Sequence, residues 1–234
     1  MTRTALIAAM HEELAALLPA LQGATVGRCG GREFWLGALE GQPVVAVLSG
    51  IGKVAASITA TLLIDHYQVD RVLFIGVAGG LGEGVQVGDV VVADALLQHD
   101  MDASPLFPRH EVPLTGVSRF PVDAAFSERV AQGARRALAA SGGRLHRGLI
   151  VSGDRFVATA AESRALRAAL PDALAVEMEG AAVAQVCHAF GTPLAVVRSI
   201  SDRADDAAHV DFASFLREVA SPLGRAIVQQ ALGS

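Results

Sequence analysis

The acidic residues of this chain fall where chemistry is usually done. An apolar run, Ala173-Leu-Ala-Val176, ends in Glu177 and Glu179 with Met178 between them, and a helical apolar pattern follows at Val183, Val186, Cys187 and Phe190. Such a run reads as a buried strand turning into a helix, with carboxylates at the strand's carboxyl end, where open α/β sheets hold their ligands. On a continuing strand Glu177 and Glu179 would share one face. The competing reading is that both acids simply favour the positive end of a helix dipole. Other apolar strands end the same way: in His11-Glu-Glu13, in the glycines of residues 76–82, in Ser152-Gly-Asp-Arg-Phe156, and in Arg198-Ser-Ile-Ser-Asp202. Carboxylates, an aromatic ring and close-approach glycines suit a neutral or cationic polar ligand better than a phosphorylated one.

Other chemistries lack their residues. No Ser/His/Asp set or zinc spacing stands out, and His99-Asp-Met-Asp102 has no further ligands at fixed spacing. Gly50-Ile-Gly52 misses the third glycine of the dinucleotide fingerprint, and Gly76-Val-Ala-Gly-Gly80 has no P-loop Lys-Ser/Thr. A net charge of −5 gives no electrostatic reason to expect nucleic acid or an anionic membrane.

The elements that must carry these residues follow from periodicity. Strands are expected at residues 5–10, 33–39, 44–48, 72–75, 85–93, 149–151, 173–176 and 192–197, the second and third forming a hairpin around Glu40-Gly-Gln-Pro43. Leu14, Leu17, Leu18 and Leu21 predict a first helix starting near His11. Ile51, Val54, Ala55, Ile58 and Leu62 predict the apolar face of a second. Helices are also expected over 124–140, over 162–170 up to Pro171, and from a cap at Asp211 with Phe212, Phe215, Leu216 and Val219 as its stripe. Between 99 and 121 periodicity disappears and four of the nine prolines gather, as in a functional loop. With 52% hydrophobic residues, no repeat and no linker, one α/β domain over 1–234 is expected. Two cysteines without metal spacing, Cys187 in a core stripe and Cys29 in a turn, fit the cytoplasm, and no transmembrane span is read. The apolar N-terminus leads into His11-Glu-Glu13 instead of a signal-peptide cleavage site.

Taken in order, Ala9-Met-His-Glu-Glu13, Ser49-Gly-Ile-Gly-Lys-Val-Ala-Ala56, Ala78-Gly-Gly80, Ser152-Gly-Asp154, Val176-Glu-Met-Glu179 and Arg198-Ser-Ile-Ser-Asp202 resemble the bacterial 5′-methylthioadenosine/S-adenosylhomocysteine nucleosidases. The resemblance spans nearly the whole chain. It implies the nucleoside phosphorylase fold, a three-layer α/β/α sandwich around a mixed central β-sheet, with no cofactor and no metal. It also implies roles. Glu13, chosen over Glu12 by the motif alone, is the base for the attacking water, and Asp202, held by Ser201, protonates adenine N7. Glu179 holds the ribose hydroxyls with Met178 packed on the sugar. Phe156 stacks on adenine, the main chain at Val157 reads its edge, Gly79 lies in the lining, and Arg198 helps to place the water. Breaking an N-glycosidic bond needs a protonated leaving purine and a stabilised oxocarbenium-like sugar, and carboxylates serve both. Asp202 must then carry its proton near neutrality through burial or neighbouring acids. Glu13, at a helix start, is expected to be ionised by the helix dipole.

Two departures stand out. Val77 replaces the serine that many family members carry in this glycine segment, so slower activity is expected. The segment Asp100-Met-Asp-Ala-Ser-Pro-Leu-Phe107 differs in length and prolines from the commoner form of a loop that the family lends to the neighbouring subunit's site. Apolar Leu106, Phe107 and Val112 in that loop lead us to expect a homodimer in which it caps the partner's pocket. The rival readings are a phosphorylase using phosphate, a nucleosidase for other adenine nucleosides (aminodeoxyfutalosine, 5′-deoxyadenosine), and a nucleoside-binding protein without turnover. Phe74 and Ile75, where the phosphorylase branch has an arginine before the glycines, argue against phosphate.

Overall fold

The computed structural model describes residues 2–139, 141–204 and 212–233. The apolar runs form strands β1 (Thr4–Ala8), β2 (Gln22–Cys29), β3 (Arg32–Leu39), β4 (Gln42–Leu48), β5 (Arg71–Gly80), β6 (Val90–Gln98), β7 (Phe120–Pro121), β8 (Leu145–Ser152), β9 (Ala173–Glu177) and β10 (Leu194–Asp202). Between them lie helices α1 (His11–Leu14), α2 (Lys53–Thr61), α3 (Ala124–Leu138), α4 (Ala160–Ala169) and α5 (Gly180–Phe190), with α6 (Phe212–Phe215) and α7 (Ser221–Leu232) after β10.

All the strands join one mixed sheet in the order β10-β6-β8-β9-β5-β1-β4-β3-β2, with β7 beside β6. Strand β5 organises it by serving three neighbours. Its first half pairs with parallel β1 (Thr4↔Arg71 to Ile7↔Phe74), and its last residues pair with antiparallel β9 (Gly79↔Val176, Gly80↔Ala175). Its other edge is taken along its length by parallel β10. Because β10 also pairs with β6, strands β5, β10, β6, β8 and β9 close on themselves, while β1, β4, β3 and β2 extend as an open wing.

Both faces of the sheet are covered, which explains why its central strands read as unbroken apolar runs. Along β1, Ala5 and Ile7 pack toward α2 and α5, whereas Leu6 and Ala8 pack toward α3 and α7. Val72 and Phe74 against Leu73 and Ile75 repeat this alternation on β5. The expected α/β/α layering around a mixed sheet is what the chain adopts. Asp123 caps α3 by accepting from the Phe126 amide at 2.7 Å, and Gly191, at φ 66°, closes α5. Among the described residues no helix is long and apolar enough to cross a membrane.

Several expectations are corrected. The leucines of residues 14–21 do not share one helix: α1 is a single turn, and Pro19 sits in a 3₁₀ turn, Leu18–Ala20. Leu14, Leu17 and Leu21 are nevertheless buried, so their spacing reported burial and not helix length. Strand β2 went unread because it is an exposed sheet edge without apolar alternation, and Cys29 ends that strand instead of lying in the turn. The glycines at 76, 79 and 80 are strand and not loop. Helix α2 buries Ala56, Thr59 and Ala60 and turns Val54 and Ile58 outward at 72% and 45% exposure, while Ile51, 59% exposed, lies in the turn before it. Val112 in the long loop is buried in its own core, whereas Leu106 is exposed. Residues Asp205, Asp206 and Asp211 lie outside the described residues, as does the side chain of Phe212.

Candidate active site

One cavity of about 370 Å³ opens at the carboxyl ends of β1, β5, β9 and β10, lined by Glu13, Gly79, Phe156, Val157, Met178, Glu179, Ser201 and Asp202 among others. Eight of the nine site residues expected from sequence therefore meet on one wall system. Arg198 does not line it; it lies directly behind.

Glu13 enters from the single turn α1. Its Oε2 accepts from the amides of Ala9 and Met10, each at 2.8 Å, and its Oε1 accepts from the Val77 amide at 3.0 Å. Val77 thus contributes an apolar wall through its side chain and a donor through its backbone. The expected lowering of the Glu13 pKa by a helix dipole is overturned. Burial pushes it up and outweighs the opposing pull of Arg198 and of the three amides. Glu12 is not among the cavity-lining residues.

Glu177 and Glu179 do not act as a same-face pair. Strand β9 stops at Glu177, so Glu179 already occupies the cap position of α5. Glu177 also lines the cavity, but its oxygens are engaged by the protein. Its oxygens take the Ser152 hydroxyl, the Gly180 amide at 2.8 Å and the Glu179 amide at 3.3 Å, with Arg198 Nη2 at 2.6 Å. Glu179 faces the cavity and accepts from the Gly52 amide at 2.8 Å. Burial, with the Glu177 charge next in weight, pushes its pKa up to about 7. The Gly52 amide was missed as a site group because a backbone donor leaves no mark in side-chain type. The only sequence signal was the short glycine turn preceding α2. That turn is fastened to the Phe156 segment, since the Lys53 amide donates to Asp154 Oδ1 at 2.7 Å and Lys53 Nζ meets Asp100 at 2.6 Å.

Arg198 is 1% exposed, with its guanidinium carbon 4.1 Å from the centroid of the Phe74 ring. Asp202, at the end of β10, accepts from the Ser201 hydroxyl at 2.7 Å and from the Ala204 amide at 2.8 Å. Gly79 allows this approach, because a Cβ there would lie 2.9 Å from both Asp202 Oδ1 and Ala204 Cβ. Phe156 is 49% exposed, an aromatic ring with a bare face at the cavity mouth. Beside it Arg155, unforeseen from sequence, lines the rim and pairs with Glu162. Among the described residues no three His, Cys, Asp or Glu side chains gather as a metal site.

Fold and cavity together describe a protein that admits a polar small molecule between buried carboxylates. A family model described as the phosphorylase superfamily matches residues 3–232. A relative from Shewanella sp. (strain W3-18-1), a 5′-methylthioadenosine/S-adenosylhomocysteine nucleosidase, is 39% identical over 212 residues, 90% of each chain. The Neisseria meningitidis nucleosidase of the same name, solved with methylthio-immucillin-A, superposes with a TM-score of 0.93 at 35% identity, covering 100% of this chain and 99% of that one. A futalosine hydrolase mutant from Helicobacter pylori superposes at 0.88 with 31% identity over 98% of both chains. The chain belongs to the phosphorylase superfamily and, within it, to the family of 5′-methylthioadenosine/S-adenosylhomocysteine nucleosidases.

Proposed function

We propose that this protein, acting as a single domain, hydrolyses the N-glycosidic bond of 5′-methylthioadenosine and S-adenosylhomocysteine, releasing adenine and the 5′-thio-substituted ribose. The observation that carries the reading is a pair of carboxylates in one cavity, each held by its own donors. Glu13 is clamped by three amides, and Asp202 is bonded by Ser201 and Ala204. Binding alone would need neither an acid nor a base.

In the proposed reaction adenine stacks on the bare face of Phe156 while the main chain at Val157 meets its edge. Asp202, oriented by Ser201, gives its proton to N7, so the purine leaves neutral and the sugar develops oxocarbenium character. Glu179 accepts from the ribose hydroxyls, with Met178 against the sugar and Gly79 in the lining. Glu13 takes the proton of the incoming water. Each positioned acid or base is typically worth about 10²–10⁴ in rate, or roughly 3–5 kcal/mol. Arg198 acts on the water only from behind, since its guanidinium is engaged by Glu177.

Water is favoured over phosphate. Phe74 is buried beneath Arg198, Ile75 packs on the opposite face, and Arg155 at the rim is paired with Glu162. A dianion would enter among buried carboxylates, and among the described residues lining the cavity the one cation, Arg155, is already paired. The test is product analysis with methylthioadenosine in phosphate-free buffer and in excess phosphate. Free methylthioribose at similar rates is expected in both. Methylthioribose-1-phosphate rising with phosphate would make the protein a phosphorylase, and absence of adenine release would make it a binder. Running the same assay with aminodeoxyfutalosine and 5′-deoxyadenosine ranks the 5′ groups.

The protein is further proposed to work as a homodimer in the cytoplasm, where its free Cys29 and Cys187 stay reduced. Outward-facing Ile51, Val54 and Ile58, with Leu106 of the 99–121 loop, form the apolar surface a partner would cover.

A further inference from the structure

We propose that Gly76 is a positioning residue for the reaction. By leaving the space over its Cα open, it lets Glu13 and Arg198 converge from two elements on one point beneath the cavity. The inference rests on the reading of Glu13 as the base.

The register sets up the convergence. Gly76 and Arg198 are direct partners across β5 and β10, so the arginine side chain leaves β10 on the face where Gly76 has none. It lies over the ring of Phe74, two residues earlier on that face, and reaches Glu177 with Nη2. A Cβ on Gly76 would lie 2.6 Å from Glu13 Oε1, 3.3 Å from its Cδ and 3.1 Å from Arg198 Nη1. The first of these is closer than real Cβ atoms come, so one group would have to move. Neither yields easily. Glu13 is fixed by the amides of Ala9, Met10 and Val77, and Arg198 by Glu177 and Phe74, with both side chains buried.

The consequence is electrostatic. Glu13 is a buried carboxylate, and Arg198 supplies the attraction that counters its desolvation. Among the described residues the other charged side chains lining the cavity nearby are the acids Glu177, Glu179 and Asp202, and the Glu179 carboxylate couples unfavourably to Glu13. A methyl group at Gly76, where φ is 159°, therefore separates the base from Arg198 and also strains β5, whose next amide, that of Val77, holds Glu13.

The experiment is a ¹³C-carboxylate titration of wild type and Gly76→Ala, with the Glu13 signal assigned by its loss in Glu13→Gln, run beside adenine-release kinetics. In Gly76→Ala the Glu13 midpoint should rise by about half a pH unit or more. In the same variant kcat should fall about tenfold or more, with KM changed less than about threefold, and the acidic limb of the rate profile should move up with the midpoint. Gly224→Ala, whose Cβ would meet only Ile75 Cδ1 at 3.8 Å, controls for an added methyl, and Gly84→Ala, at φ 81° with nothing within 4 Å of its Cβ, controls for backbone strain; neither should move either quantity. Arg198→Lys keeps a charge for Glu177 but withdraws the second guanidinium nitrogen from Glu13, so its midpoint should rise too, and it decides the matter should Gly76→Ala not fold. An unmoved Glu13 midpoint in the folded variants overturns the inference, as does a loss of activity without that shift. If wild type releases no adenine, the functional reading fails, while the titration still decides whether Gly76 sets the state of Glu13.

Discussion

At the scale of the residue, the site is an economy of protons among buried acids. Glu13→Gln keeps shape and hydrogen bonding but removes the proposed base, so kcat should fall about 10²-fold or more while nucleoside binding survives. Near wild-type turnover would take Glu13 out of the mechanism. Asp202→Asn should behave alike, because an amide has no proton for N7. Glu179 makes a different, thermodynamic prediction. Its folded pKa stands at about 7 against an ordinary 4.5, so the folded state binds this proton more tightly than the unfolded chain does. Its contribution is therefore full below the unfolded value and is lost as pH rises from about 4.5 to about 7. Glu179→Gln should remove that loss. Measured by thermal melts, the variant should gain stability relative to wild type between pH 5 and pH 8, taken as about the two ends of that window. A constant difference across the range would contradict the assignment.

At the scale of the element, strand ends aim the side chains and buried partners hold them there. Arg198→Met would leave Glu177 buried with its hydrogen bonds but no counter-charge, at a cost of about 3–5 kcal/mol, readable as a lowered denaturation midpoint. A wild-type midpoint would contradict the reading that Arg198 holds this buried carboxylate. What sequence could reveal divides along the same line. The central strands were legible because two-sided burial makes them continuous apolar runs, and the acids stood out as the polar residues that end them. Length was less legible. Strands β5 and β10 run on through glycines and polar residues, since pairing with each other satisfies their backbones regardless of side chain. The orientation of α2 runs against its apolar stripe because small Ala56 and Ala60 are what fits beneath α5, leaving the larger Val54 and Ile58 outside. Glu177 and Glu179 look equivalent in sequence. Both line the cavity, and only the turn of the chain after Glu177 gives one to Arg198 and the other to the Gly52 amide.

At the scale of the whole molecule, the outward stripe on α2 lies close to the proposed site, because the turn that starts α2 donates to Glu179 through Gly52. Val54→Asp should therefore do two things: yield a monomer by light scattering at micromolar concentration, and weaken turnover, since Ile51 of the same stripe lines the cavity. A fully active monomer, as wild type or variant, would separate the stripe from function. The closure of the sheet has a further consequence for how the protein comes into being. Among the described residues β10 is the last strand in chain order, and it fills the place between β5 and β6, which are made well before it. Until it arrives, both older strands present unpaired edges, the state most open to wrong partners and to chaperones. Glu13 meanwhile waits without Arg198, and Asp202 does not yet exist. Among the described residues, the edges of β5 and β6 and the wall of the cavity that Ser201 and Asp202 form are thus completed together, by one late insertion.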